Sequence, residues 1–181
     1  MAHKISYLFI AAFTLSTCLF SACKKTANDI TIQKDYGELS FTVDTISKVG
    51  TLFLASAEYN TDIEAALAEK DFGLNNLKKI TVSNMTLRIT NPGKDLNYFR
   101  RVDVRVSNGQ ASELNIGTIT LPDETNATSA VFSPVEAELT EIFKQKKVMF
   151  RFYGENDLPI VPDPLTMKVN ISLEFKAALG N

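Results

Sequence analysis

Met167-Lys168-Val169-Asn170-Ile171-Ser172-Leu173-Glu174-Phe175-Lys176 alternates apolar and polar side chains without a break. Successive side chains of a β-strand point to opposite faces, so this stretch has one apolar face and one wet face. It predicts a strand whose odd-numbered residues line a core. The same signature recurs upstream. Val148, Phe150 and Phe152 share one parity. From Phe99 to Ser107, Val102, Val104 and Val106 form an inner face, and Arg101, Asp103, Arg105 and Ser107 an outer one. Leu39, Phe41 and Val43 alternate with Glu38, Ser40 and Thr42. Strands with one wet face belong to antiparallel sheets.

Two further strands change phase midway. Ile80 and Val82 share one parity and Met85, Leu87 and Ile89 the other, which predicts a bulge at Ser83-Asn84. Leu114 and Ile116 give way to Ile119 and Leu121, with the switch at Gly117-Thr118. Asn108-Gly109, both tolerant of positive φ, predicts a hairpin between the strands on either side. Thr51 to Ala57 is apolar without a period and fits a strand or a buried loop. Asn91 to Asp95, Pro122 to Ser129 and Gly154 to Pro164 read as turns and loops from their Pro, Gly and Asn content.

Two short amphipathic helices are expected. Thr61-Asp62-Ile63-Glu64 matches a capping box, which predicts a helix from Asp62 to Phe72 with Gly73 as its left-handed stop. Ser133-Pro134-Val135-Glu136 matches another, followed by an apolar stripe of Val135, Leu139, Ile142 and Phe143. About seven or eight strands, two helices and no regular βαβ alternation predict a mainly β protein, an antiparallel β-sandwich.

The N-terminus has a different grammar. Met1-Ala2-His3-Lys4 is positive, and no charged side chain occurs from Ile5 to Ala22. Small residues and then Cys23 follow, which is the layout of an export signal. A membrane-spanning anchor needs about 20 apolar residues, and Ser6, Thr14, Ser16 and Thr17 dilute this run. Phe20-Ser21-Ala22-Cys23 resembles the lipobox of bacterial lipoproteins, with Phe20 where that family prefers Leu. The resemblance covers the signal region alone. It implies cleavage before Cys23, acylation of that residue and, with Lys24 rather than Asp next, residence at the outer membrane. The organisation expected is a signal peptide over 1–22, a lipidated Cys and polar tether over 23–36 with a first strand starting near Ile30 and Ile32, and a single sandwich over 37–181.

Removal of residues 1–22 leaves a chain with no His, no Trp and a single Cys, which the lipid blocks. Its 18 basic and 21 acidic residues give a net charge of −3. Ser-His-Asp triads, Cys-His pairs, His/Cys zinc sites and iron–sulfur clusters are therefore excluded from the mature domain. An exported acidic domain is also a poor nucleic-acid binder. No cofactor beyond the covalent lipid is implied.

Three groups of residues are candidates for function. Glu155, Asp157 and Asp163 share a loop, and Asp123 and Glu124 share another. Paired carboxylates hydrolyse glycosidic bonds or hold a hard cation, although no calcium-loop spacing is present, and solvated loop charge is the plainer reading. Arg100, Arg101 and Arg105 form a basic cluster in which Arg101 and Arg105 share a strand face with Asp103 between them. Phosphate or sulfate recognition and an ordinary solvated face both fit. Tyr36, Tyr59, Tyr98 and Tyr153 lie near loops or strand ends and suit either a binding rim or packing. The reading that unites these features is a non-catalytic binding or assembly module at the outer membrane. Its ligand would be an envelope protein or a glycan, with Arg101, Arg105, Tyr98 and Tyr153 as the contact residues. A periplasmic carrier of lipid or lipoprotein is the alternative, and a carboxylate glycosidase the third.

Overall fold

The computed structural model describes residues 29–45, 48–109, 112–122, 125–156 and 163–178. Cys23, Asp123, Glu124 and Asp157 lie outside them. The described residues form two antiparallel sheets packed face to face. The strands are β1 (Ile30–Val43), β2 (Gly50–Asn60), β3 (Leu77–Ile89), β4 (Arg101–Ser107), β5 (Leu114–Thr120), β6 (Ser129–Val131), β7 (Ser133–Pro134), β8 (Lys147–Asn156) and β9 (Leu165–Ala177). One sheet has the order β1-β9-β3-β6 and the other β2-β8-β4-β5-β7. The chain is a mainly β sandwich, as the alternation predicts.

The opening decapeptide is the middle of β9, and β9 sits between β1 and β3. Met167, Val169, Ile171, Leu173 and Phe175 all point inward and are at most 2% exposed. Opposite them lie Val102, Val104 and Val106 of β4 and Val148, Phe150 and Phe152 of β8, equally buried. Phe41 of β1 stacks on Phe152 across the gap, with ring centroids 5.1 Å apart.

Strand β1 begins at Ile30, so residues 30–35 of the expected tether are already paired with β9. A bulge explains the difference. Tyr36 and Gly37 together face the single residue Ile171, and Gly37 has a φ of 74° that favours glycine. The extra residue lets even-numbered Ile30 and Ile32 and odd-numbered Leu39 and Phe41 share the core side. The expected bulge in β3 is present between Val82 and Asn84. The break in β5 falls opposite Val104/Arg105, at Ile116.

Both helices are shorter than their caps suggest. Helix α1 covers Ile63–Ala68 and α2 covers Thr140–Phe143. The Thr61 hydroxyl does not cap α1: Thr61 lies one residue before the N-cap, and its hydroxyl is turned to donate to the Gln145 carbonyl at 2.7 Å. Asp62 takes the N-cap position with a φ of 51°, and Asp71, not Gly73, is the left-handed residue beyond the helix. At the second site the backbone is drawn into the sheets. Phe132 N–H donates to the Met85 carbonyl and Val135 N–H to the Ile116 carbonyl, so residues 129–135 cross from one sheet to the other. Leu139, Ile142 and Phe143 are buried as the stripe requires, but Val135 is 39% exposed. The stretch expected to be loop from Gly154 is strand through Asn156.

The outer face of the four-stranded sheet carries a charge ladder. Glu38 of β1 accepts from Lys168 of β9 and from Arg88 of β3. Those hydrogen bonds, Lys168 first, hold the Glu38 carboxyl below its ordinary value. A carboxylate with a depressed folded pKa contributes stability above its unfolded value and loses it as pH falls through the folded one. The melting-temperature difference between the wild type and Glu38→Gln is therefore expected to be constant at neutral pH and to vanish as the pH drops below the ordinary carboxylate range.

Gly154 of β8 is a close approach to the core. A Cβ there would lie 2.7 Å from the ring of Phe99, which is itself 2% exposed, and 3.0 Å from Leu54. A buried ring cannot swing aside as a flexible chain end does. Gly154→Ala is expected to cost about 1–3 kcal/mol in a urea titration, with an unchanged slope.

Candidate functional site

The outer face of the five-stranded sheet brings together three of the four expected contact residues. Strand pairing sets them in rows. Tyr153 of β8 lies opposite Asp103 of β4 on one side and Phe53 of β2 on the other. One row nearer the strand ends, Glu155 lies between Arg101 and Thr51. One row the other way, Arg105 lies opposite Arg151. Neighbouring strands are about 4.8 Å apart, so adjacent side chains in these rows are in contact range.

Asp103 is 8% exposed despite its outward parity. It accepts from Arg101 Nε at 2.9 Å and from the Thr118 hydroxyl at 2.7 Å. Arg105 and Arg151 face each other across two strands, and like charges in that position repel. Glu113, in the connection between β4 and β5, offsets both: it pairs with Arg151 and lies 3.8 Å from Arg105. The Tyr153 hydroxyl also donates to Glu113 at 3.1 Å. Desolvation first, and then this bond to a carboxylate, raise the Tyr153 phenol above its usual value. The Arg105 guanidinium lies 4.4 Å from the Tyr153 ring centroid and so caps that ring. The Phe53 ring meets Tyr153 edge-on at 5.8 Å and 69°, and Phe53 remains 58% exposed.

These residues enclose a cleft of about 210 Å³ lined by Thr51, Arg101, Asp103, Arg105, Tyr153 and Glu155. Three guanidiniums and three carboxylates line or flank it: Arg101, Arg105 and Arg151 against Asp103, Glu113 and Glu155. The face is neutral. The arginines of this strand face stay partly exposed, and acids beside them offset their charge, Asp103 for Arg101 and Glu113 for Arg105 and Arg151.

Other candidates lie apart. Tyr98 is not in the cleft; it sits in a short 3-10 turn, Leu96–Tyr98, with the Lys94 ammonium 5.9 Å from its ring. Asp163 bonds Lys94 at 2.8 Å. Tyr36 and Tyr59 pack on each other and on Phe150 and are partly buried against the core. Among the described residues no group of three or more His, Cys, Asp or Glu is placed to hold a metal ion. No helix among them is long and apolar enough to cross a membrane. A cavity of about 450 Å³ opens at the other end of the sandwich between α1 and α2, lined in part by Ile63, Leu74 and Phe143. The carrier alternative would seat an acyl chain there.

Sequence reasoning missed Glu113, Arg151 and Phe53. Arg151 was legible: it shares the outer parity of Tyr153. Phe53 was hidden in a stretch without period, and Glu113 in a connection that no pattern describes.

No protein-family model matches the chain, and no curated protein matches it. Among solved structures it is similar to one of Desmodium yellow mottle tymovirus, with a TM-score of 0.32 and 14% identity, over 85% of this chain and 91% of that one. It is also similar to a structure of infectious bursal disease virus strain Gx, with a TM-score of 0.42 and 10% identity, over 86% of this chain and 34% of that one. Both scores are low, and the likeness stops at a distant resemblance of fold.

Glu113→Ala is expected to leave Arg105 and Arg151 in unrelieved repulsion and to lower stability by about 1 kcal/mol. Added salt should recover much of that loss, because it screens the repulsion. Thermal melts at low and high ionic strength check both points.

Proposed function

We propose that the chain is a bacterial lipoprotein anchored to the outer membrane through Cys23, whose sandwich serves as a non-catalytic binding or assembly module. One observation carries this reading. The uncharged run from Ile5 ends at Phe20-Ser21-Ala22-Cys23, and strand β1 starts seven residues later. Seven residues span at most about 25 Å even when fully extended. A lipid on Cys23 would hold the sandwich against the bilayer, and two or three acyl chains suffice for lasting attachment.

The non-catalytic part is supported by two acids of the cleft face, Asp103 and Glu113, and by Asp163 of the expected acidic loop. Asp103, Glu113 and Asp163 are each engaged by a basic side chain. Carboxylates tied in this way fix the shape of a surface and are poorly placed to move protons. The neutral, aromatic-edged face beside them is the surface on which an envelope protein or a glycan would be met.

Labelling of growing cells with radioactive palmitate tests the anchor. The wild-type chain is expected to take up label and to sediment with outer membranes, and Cys23→Ala to lose both properties. Unchanged membrane attachment of Cys23→Ala would overturn the reading. Protease treatment of intact cells then tells which side of the membrane the sandwich faces.

A further inference from the structure

We propose that Phe53 and the cleft beside it bind an uncharged saccharide unit; this rests on the binding-module reading above and names the ligand of that module. The argument begins with charge. A phosphate or sulfate site needs cations that its own neighbours have not already neutralised. Here Arg101 is bonded to Asp103, and Arg105 and Arg151 share Glu113. With Glu155 opposite Arg101 the three guanidiniums meet three carboxylates, and the face has no excess charge to offer an anion. It offers fixed donors and acceptors side by side, which is what the hydroxyls of a neutral sugar require, since each both donates and accepts.

The aromatic corner supplies the second half. A pyranose ring has an apolar face of C–H groups that packs on an aromatic ring, while its rim of hydroxyls seeks polar partners. Tyr153 is held by Arg105 over its ring and by Glu113 at its hydroxyl, so it acts as the support. Phe53 leans on it and is 58% exposed. Groups already locked by ion pairs lose little further freedom on binding, and that raises affinity.

The same features argue against a protein ligand on this face. A stable protein interface buries about 800 Å² per partner around an apolar centre. Within β2 Phe53 is the exposed large apolar side chain and Thr51, Ser56 and Glu58 are polar; Val49, just before the strand, is the other exposed apolar residue at this rim. One ring beside a small polar cleft fits one sugar unit better than a partner surface. The cleft also lies at the rim where β2 begins and β8 ends, whereas Ile30, nearest the tether, pairs with Ala177 at the opposite rim. A chain anchored through Cys23 would present the cleft away from the bilayer, where a glycan is reached.

The test uses the full-length protein taken from membranes in detergent. Calorimetric titrations use cellohexaose, maltohexaose, mannohexaose and xylohexaose as uncharged probes, with oligogalacturonate and inorganic phosphate as charged ones. At least one uncharged hexaose is expected to bind, with Phe53→Ala weakening it by about tenfold and leaving the melting temperature nearly unchanged. Glu155→Gln should weaken it as well, through the cleft. Binding of none of the uncharged probes, preference for a charged one, or equal affinity in Phe53→Ala would each overturn the assignment. A crosslinked envelope protein that is lost in Phe53→Ala, without any sugar binding, would also overturn it while leaving the binding-module reading intact.

Discussion

Strand β9 has neighbours on both edges and buries every second side chain, and the rest of the four-stranded sheet is adjusted to it. It has no extra residue of its own. Each irregularity in its two ladders lies on the partner: Tyr36-Gly37 on β1, and Lys78 and Ser83 on β3. A strand with period two cannot slip by one residue without turning its apolar set to solvent. β9 therefore acts as the fixed reference, and its partners absorb their sequence irregularities as bulges. The adjustment keeps Ile30, Ile32, Leu39 and Phe41 on the core side of β1 although their numbers change parity.

Alternation made the strands legible because it reports a strong and local force, the burial of one face. It even located the bulge of β3. The helices were less legible because a capping motif competes with whatever else its groups can bond. Thr61 has a better partner in the Gln145 carbonyl, and the backbone after Phe132 is claimed by Met85 and Ile116. Those partners are distant in sequence, so no local window contains them. The candidate site divides in the same way. Arg101, Arg105 and Tyr153 follow from parity, and Tyr98 was grouped with them only by residue type. Glu113 depends on how the β4–β5 connection folds back over the sheet, and nothing in its neighbours announces that.

Both outer faces solve one electrostatic problem. Antiparallel pairing sets Arg105 against Arg151 on one sheet and Arg88 against Lys168 on the other. In each case one carboxylate reaches between the two cations, Glu113 in the first and Glu38 in the second. On the four-stranded sheet the acid comes from a neighbouring strand and the result is a closed ladder. On the five-stranded sheet it comes from a connection, and the same device leaves room for Tyr153 and a cleft. The difference in where the acid originates separates a surface that only stabilises from one with a shape to offer.

The central position of β9 also sets an order of events. Synthesis runs from the N-terminus, so among the described strands the middle one of this sheet is made after all the others. Until then, β1 and β3 have no strand between them and their inner faces have nothing to close on. Strand β1 meets β9 across most of the length of the chain, and such long-range pairing is slow to form. The four-stranded sheet would thus close only once β9 has been made.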